Sequence, residues 1–285
     1  MPETIKITEC PRDAMQGLHE FVPTHVKAAY INLLLQVGFD TIDFGSFVSP
    51  KAIPQMRDTA EVLSKLDLDN SQSKLLAIIA NYRGAQDAAG HNEITYLGYP
   101  FSISETFQLR NTNTTIHQAF DNVKQIAALC AAKNKILLVY LSMGFGNRYG
   151  DEWNTEIVQK WTKKLVQEGI YNIALSDTIG IATPEQISSL YPALAKEFLG
   201  VQIGVHLHST PDTWQEKIAA AYENGCTKFD AALKGYGGCP MAKDELTGNI
   251  ATENLIAYLL HQNIDLGLNL DKLGEAMDYT GKIFG

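Results

Sequence analysis

The chain has 285 residues, 45% hydrophobic and 19% charged, enough apolar material for a full core and too much for a disordered polymer. A formal net charge of −9 and a pI near 5.3 exclude a general nucleic-acid or anionic-membrane binder, because both need a basic field. Cys10, Cys130, Cys226 and Cys239 fall without a CxxC pair or framework spacing, which points to reduced thiols rather than a disulfide scaffold.

In chain order, Met1-Pro2-Glu3-Thr4 carries neither the basic start nor the apolar stretch of a secretory leader, and no later apolar run reaches membrane-spanning length. A cytoplasmic protein with a small-molecule partner is expected. Short β-branched runs then alternate with longer amphipathic ones. The pattern predicts strands at 4–10, 41–47, 74–80, 93–99, 135–142, 172–177, 202–208 and 228–234. Helical periodicity lies between them, with Thr24 before 25–37, Thr114 before 115–132, and Thr183-Pro184-Glu185 opening 185–198. Gly38, Gly169 and Gly225 mark helix ends. Strand-helix units repeated without linker or composition break predict one α/β domain over 1–285, a (β/α)8 TIM barrel. A doubly wound dinucleotide fold would place GxGxxG after the first strand, and Cys10-Pro11-Arg12-Asp13 stands there instead.

Chemistry in such barrels gathers at the carboxyl ends of the strands, which sorts the polar residues. Arg12 and Asp13 follow the first strand, Asp43 and Ser46 lie late in the second, and Ser176, Asp177 and Thr178 end the sixth. His206 and His208 end the seventh; the loop Gly235-Tyr236-Gly237-Gly238-Cys239-Pro240 and Asn249 follow the eighth. Alternate residues of a strand project together, so His206-Leu207-His208 turns two imidazoles to one side, a spacing that suits one divalent ion. Asp13, His206, His208 and Asn249 offer a carboxylate, two imidazoles and an amide oxygen. That set accepts Mg²⁺, Mn²⁺, Co²⁺ or Zn²⁺ and leaves positions open for substrate oxygens. Taken singly, Asp13 reads as a cap and Asn249 as a turn residue; their common placement favours the metal. Arg12 can donate hydrogen bonds to an oxyanion developing on a bound carbonyl, with Gln16 as a second donor. Cys239, between glycines and a proline, can bring a thiol over the mouth and deliver a proton to a carbanion. Cys130 and Cys226 read as small buried hydrophobes. Asp43, Ser46 and Thr178 are placed to orient substrate.

Together these segments resemble the 3-hydroxy-3-methylglutaryl-CoA (HMG-CoA) lyase family, within the metal-dependent (β/α)8 lyase and Claisen-condensing superfamily. The resemblance spans nearly the whole chain. It rests on PRDxxQ at 11–16, SFVSPKxxPQM at 46–56, SDTIGxxTP at 176–184, HLH at 206–208, GGCP at 237–240 and GNxATExL at 248–255. It implies that Asp13, His206, His208 and Asn249 bind the cation, that Arg12 stabilises a thioester enolate and that Cys239 is the catalytic loop thiol. The implied reaction splits HMG-CoA into acetyl-CoA and acetoacetate, with His206 or Asp13 accepting the hydroxyl proton. An acyl-CoA ligand, a homodimer and a place in leucine degradation come with it. The chain departs from the family pattern at Asp43, where the family has glutamate, and in MAKDELTGN, slightly longer than the usual loop. SMGFGNRYGDEW replaces a Cys-rich stretch after the fifth strand, and the regulatory cysteine extension of animal lyases is not expected. These departures leave open a related aldolase or acyl-CoA condensing enzyme acting on a different hydroxy acid or hydroxyacyl-CoA, or a metal-binding barrel without turnover. The CoA nucleotide needs a local basic patch, for which Lys51, Arg83 and Arg148 are the candidates.

Overall fold

Eight parallel strands close a barrel in the computed structural model, which describes residues 4–238 and 247–285. They are β1 (Lys6–Glu9), β2 (Thr41–Ser46), β3 (Lys74–Ile78), β4 (Ile94–Ser102), β5 (Ile136–Ser142), β6 (Asn172–Ser176), β7 (Gln202–His206) and, after a two-residue β8 (His208–Ser209), β9 (Lys228–Ala231), which closes onto β1. β8 stands outside the barrel and pairs antiparallel with β10 (Gly248–Asn249). The helices are α1 (Pro11–Gln16), α2 (Thr24–Val37), α3 (Thr59–Leu63), α4 (Tyr82–Ala89), α5 (Glu105–Thr112), α6 (Ile116–Ala132), α7 (Thr155–Gln167), α8 (Pro184–Glu197), α9 (Trp214–Glu223), α10 (Thr252–His261), α11 (Leu270–Tyr279) and α12 (Gly281–Phe284). No helix among the described residues is long and apolar enough to cross a membrane.

All eight expected strands form, most with ends shifted by one to three residues; β4, for example, runs on to Ser102 where 99 was expected, and the last two strands change course. The expected strand at 202–208 divides at Leu207: Asp177 N–H takes the carbonyl of His206 as the last rung beside β6, and the chain then turns to pair with β10. The eighth stops at Ala231 instead of 234, because Leu233–Gly235 forms a 3-10 turn with Lys234 at φ 58°. The helix signals shift by a residue or less. Thr115, not Thr114, closes a capping box with Gln118, and Thr183 does so with Gln186 ahead of Pro184. Thr24 opens its helix without capping it, since Pro23 occupies the cap position. Gly38 ends α2 in the left-handed region at φ 91°, where a side chain would be strained.

Alternation along the strands builds two cores. Leu137, Val139 and Leu141 of β5, Ile173 and Leu175 of β6, and Ile203 and Val205 of β7 belong to the large outer core that includes buried residues of the helices. Leu138, Tyr140 and Ala174 join Leu76 and Tyr96 in a small inner cluster, the filled lumen expected of this barrel class. Gly98 admits Tyr140 there: a Cβ at Gly98 would come within 3.1 Å of the Tyr140 ring and 2.5 Å of Ile78 Cδ1. The inward phase reaches the upper rim at Tyr140 and His206, whose rings meet edge to face at 5.6 Å.

Candidate metal centre and active site

α1 begins directly after Cys10 with Pro11 in its first turn, so Arg12 and Asp13 are held at the carboxyl-terminal mouth of β1. β7 brings His206 to the same rim, and the β8–β10 pairing sets His208 opposite Asn249. Asp13, His206 and His208 present ligand atoms within 4.8 Å of one another. A second partner aims each imidazole. His206 Nδ1 lies 3.2 Å from Asp230 Oδ2, and His208 Nδ1 lies 3.2 Å from the Thr178 carbonyl. A carbonyl only accepts, so His208 carries its proton on Nδ1 and has its lone pair on Nε2. That Nε2 is buried and has no hydrogen-bond partner. An acceptor orphaned in this way costs about 1–3 kcal/mol, which a cation at the lone pair offsets.

The electrostatics agree with a cation site. Burial, reinforced by the neighbouring His206, pushes His208 down to about 4, so its imidazole is neutral and able to ligate. For His206 burial also opposes charge, yet the Asp230 hydrogen bond and charge outweigh it and raise the group. Burial alone would raise Asp13 as well; Arg12 and the two histidines reverse this and hold it at about 2, so it is an anion at neutral pH. Asp13 Oδ1 accepts from Arg12 Nη1 at 3.0 Å and Gln16 Nε2 at 2.7 Å, and Oδ2 accepts from Asn249 Nδ2 at 2.7 Å. Asn249 Nδ2 also donates to the Tyr236 carbonyl at 2.9 Å, so its N–H groups are engaged and Oδ1 is the atom it can offer a cation. An anionic carboxylate, two imidazoles and an amide oxygen fit Mg²⁺, Mn²⁺, Co²⁺ or Zn²⁺.

Arg12 is clamped by two carboxylates. Its Nε donates to Asp43 at 3.0 Å and 3.2 Å, its Nη2 donates to Asp43 Oδ2, and Nη1 reaches Asp13. Burial pushes the Asp43 carboxyl up to about 6 against the pull of Arg12, which leaves it ionised at neutral pH. A cavity of about 350 Å³ opens beside these groups, within the usual range for small-ligand sites. Its lining includes the polar Arg12, Asp13, Gln16, Thr178, His206 and His208 and the apolar Val48, Ala52, Ile53 and Phe107.

Two expected substrate contacts are placed differently. Asp43 is fully buried behind Arg12, not on the cavity wall; shorter than glutamate, its carboxylate is spent on the guanidinium. Ser46 is also buried and off the wall; its Oγ has no partner and its N–H donates to Thr59 Oγ1 at 3.1 Å. Thr178 reaches the cavity, but its hydroxyl accepts from the Met143 N–H at 2.8 Å. Cys239 lies outside the described residues. Cys130 and Cys226 are buried as expected, and burial pushes their thiols up to about 11 and 12. Sequence reasoning missed Asp230 and Tyr140, whose buried hydroxyl has no partner. The available signal for Asp230 was a lone carboxylate inside the apolar stretch Phe229-Asp230-Ala231-Ala232.

A barrel with this mouth places a donor set suited to a divalent ion beside a cavity sized for a small molecule, the arrangement of a barrel enzyme. The particular assignment comes from the comparisons: the chain belongs to the HMGL-like family, whose profile matches residues 5–279. It is 34% identical to the rat cytoplasmic 3-hydroxy-3-methylglutaryl-CoA lyase, over 99% of this chain and 82% of the relative. It is 33% identical to the mouse mitochondrial hydroxymethylglutaryl-CoA lyase, over 98% of this chain and 85% of that one. Among solved structures, the Bacillus subtilis HMG-CoA lyase matches with a TM-score of 0.92 at 32% identity, over 99% of this chain and 94% of that chain. An Acinetobacter baumannii HMG-CoA lyase in complex with coenzyme A and 3-methylmalate matches with a TM-score of 0.91 at 32% identity, over 98% and 91% of the two chains.

Proposed function

We propose that this chain is a divalent-metal-dependent lyase that splits HMG-CoA into acetyl-CoA and acetoacetate, acting as a cytoplasmic homodimer in leucine degradation. The observation that carries the reading is the triangle of Asp13, His206 and His208 with a partnerless Nε2, set beside a clamped guanidinium. Asp13, His206, His208 and Asn249 hold the cation, Mg²⁺ or Mn²⁺ before Zn²⁺ or Co²⁺ in view of the oxygen ligands. When bound, it acidifies the substrate's tertiary hydroxyl and neutralises charge there.

Asp13 takes the hydroxyl proton. With its carboxyl held near 2 it is a weak base, so the hydroxyl that gives up its proton to Asp13 would have to be more acidic than a free alcohol. His206, with Nδ1 committed to Asp230, serves through its remaining nitrogen as a ligand rather than as the base. As the carbon–carbon bond breaks, the hydroxyl carbon becomes the ketone of acetoacetate and the electron pair passes into the thioester enolate. Arg12 has two N–H groups not used by Asp43 or Asp13, and these hold the enolate oxygen. Cys239 then protonates the enolate carbon to give acetyl-CoA. Gln16 and Thr178 contact the acyl portion, and Asp43 holds Arg12. Lys51, Arg83 and Arg148 meet the CoA phosphates.

The test is a coupled assay for acetoacetate with purified protein, HMG-CoA and Mg²⁺ or Mn²⁺. Release that stops on chelation and returns with metal supports the reading; no product across a divalent-metal screen refutes it.

A further inference from the structure

Behind His208 lies a buried lysine with no part in the chemistry above. Lys217, on α9, is 2% exposed, and its Nζ makes three bonds: to Asp177 Oδ2 at 2.8 Å, to the Gly180 carbonyl at 3.0 Å and to the His208 carbonyl at 2.7 Å. An ammonium has three N–H groups, so all are used. Asp177 is 1% exposed, and its other oxygen accepts the Ala182 N–H at 3.0 Å.

Stability alone does not account for this residue. A buried ion pair roughly breaks even against apolar side chains of the same volume, because desolvation of both charges offsets their attraction. The other two bonds are the informative ones. The His208 carbonyl sets the backbone of a candidate metal ligand. Asp177 and Gly180 bracket Thr178, whose carbonyl fixes the His208 ring through Nδ1. One ammonium thus joins the backbone of the ligand to the loop that aims its ring.

The geometry points to Lys217 as a positioning residue for the metal centre, holding His208 Nε2 in ligating orientation through the Asp177–Gly180 turn and the His208 carbonyl. This rests on the metal-centre reading proposed above. Outer partners of metal-bound histidines set affinity by fixing ring orientation, with losses of about 10–100-fold when they are removed.

The experiment compares Mn²⁺ affinity, read by electron paramagnetic resonance of the free ion, with thermal stability in three full-length proteins: wild type, Lys217→Met, and Asp177→Asn combined with Lys217→Met. The single variant leaves a buried carboxylate unpaired, so its melting temperature falls. The double variant removes both charges and regains most of that loss, yet its carbonyl contacts to His208 and Gly180 stay missing. Its Mn²⁺ dissociation constant is expected to remain about 10–100-fold above wild type. A double variant that binds Mn²⁺ within about twofold of wild type, or that no longer folds, makes the lysine purely structural and overturns the proposal. Failure of wild type to bind Mn²⁺ contradicts the metal centre itself, and the proposal falls with it.

Discussion

Replacing Arg12 by lysine keeps the positive charge and removes the fork. The guanidinium spans Asp43 with Nε at 3.0 Å and 3.2 Å plus Nη2, reaches Asp13 with Nη1 at 3.0 Å, and still has two N–H groups for substrate. A single ammonium cannot bridge both carboxylates and face the cavity at once. On the folding side, the Arg12→Lys protein would forfeit one or two charge-assisted hydrogen bonds, about 1.5–3 kcal/mol each, so the melting temperature drops while the fold survives. On the catalytic side, loss of a preorganised oxyanion donor costs about 10²–10³ in kcat. KM should move little, because the contact strengthens only as charge develops on the thioester oxygen. Initial rates of acetoacetate release at saturating Mn²⁺, with a melt of the same preparation, separate the two effects. A folded Arg12→Lys protein with kcat within about tenfold of wild type would refute the enolate role.

Three further outcomes follow from the same geometry. Asp230→Asn weakens the hydrogen bond that orients His206 and should raise the Mn²⁺ dissociation constant by about 10-fold or more; unchanged affinity contradicts the orienting role. Cys239→Ala should cut turnover by about 10²–10⁴ without altering Mn²⁺ affinity, whereas unchanged turnover removes the thiol from the mechanism. Glu9 is buried, accepts from the Leu233 N–H at 2.9 Å and from the Thr252 hydroxyl, and is pushed by burial from 4.5 up to about 8. Its contribution to stability is complete below pH 4.5 and is lost as pH rises toward 8, so Glu9→Gln, which cannot ionise, should gain on wild type by up to about 3 kcal/mol between pH 4.5 and 7. Urea melts at the two pH values check this, and a difference independent of pH contradicts it.

The repeating architecture was legible because each strand buries both faces and each helix one, so apolar runs and amphipathic runs alternate visibly from Lys6 to Ala231. Arg12, Asp13 and His206 were legible because they sit at strand ends, where local position alone decides which rim they reach. What the sequence could not display was pairing across long separations. His208 was expected in the same strand as His206, but its position is set by Asn249 across the β8–β10 pairing, an interaction no local periodicity records. Asp43 looked like a substrate contact from its place in β2; its fate depends on Arg12, which claims both its oxygens. Asp230 was hidden in an apolar stretch, where it reads as an exception, and Lys217 in the polar run Gln215-Glu216-Lys217, where it reads as a solvated helix residue until its partner is known. In each case the missing information was the identity of a partner more than twenty residues away in the chain.

The most direct test is a crystal structure of the protein soaked with Mn²⁺, with anomalous diffraction recorded to locate the ion. The account predicts one strong site within about 2.0–2.3 Å of an Asp13 carboxylate oxygen, His206 Nε2 and His208 Nε2, with Asn249 Oδ1 facing the same ion. An ion bound elsewhere, or imidazoles turned away from Asp13 with no ion between them, would contradict it.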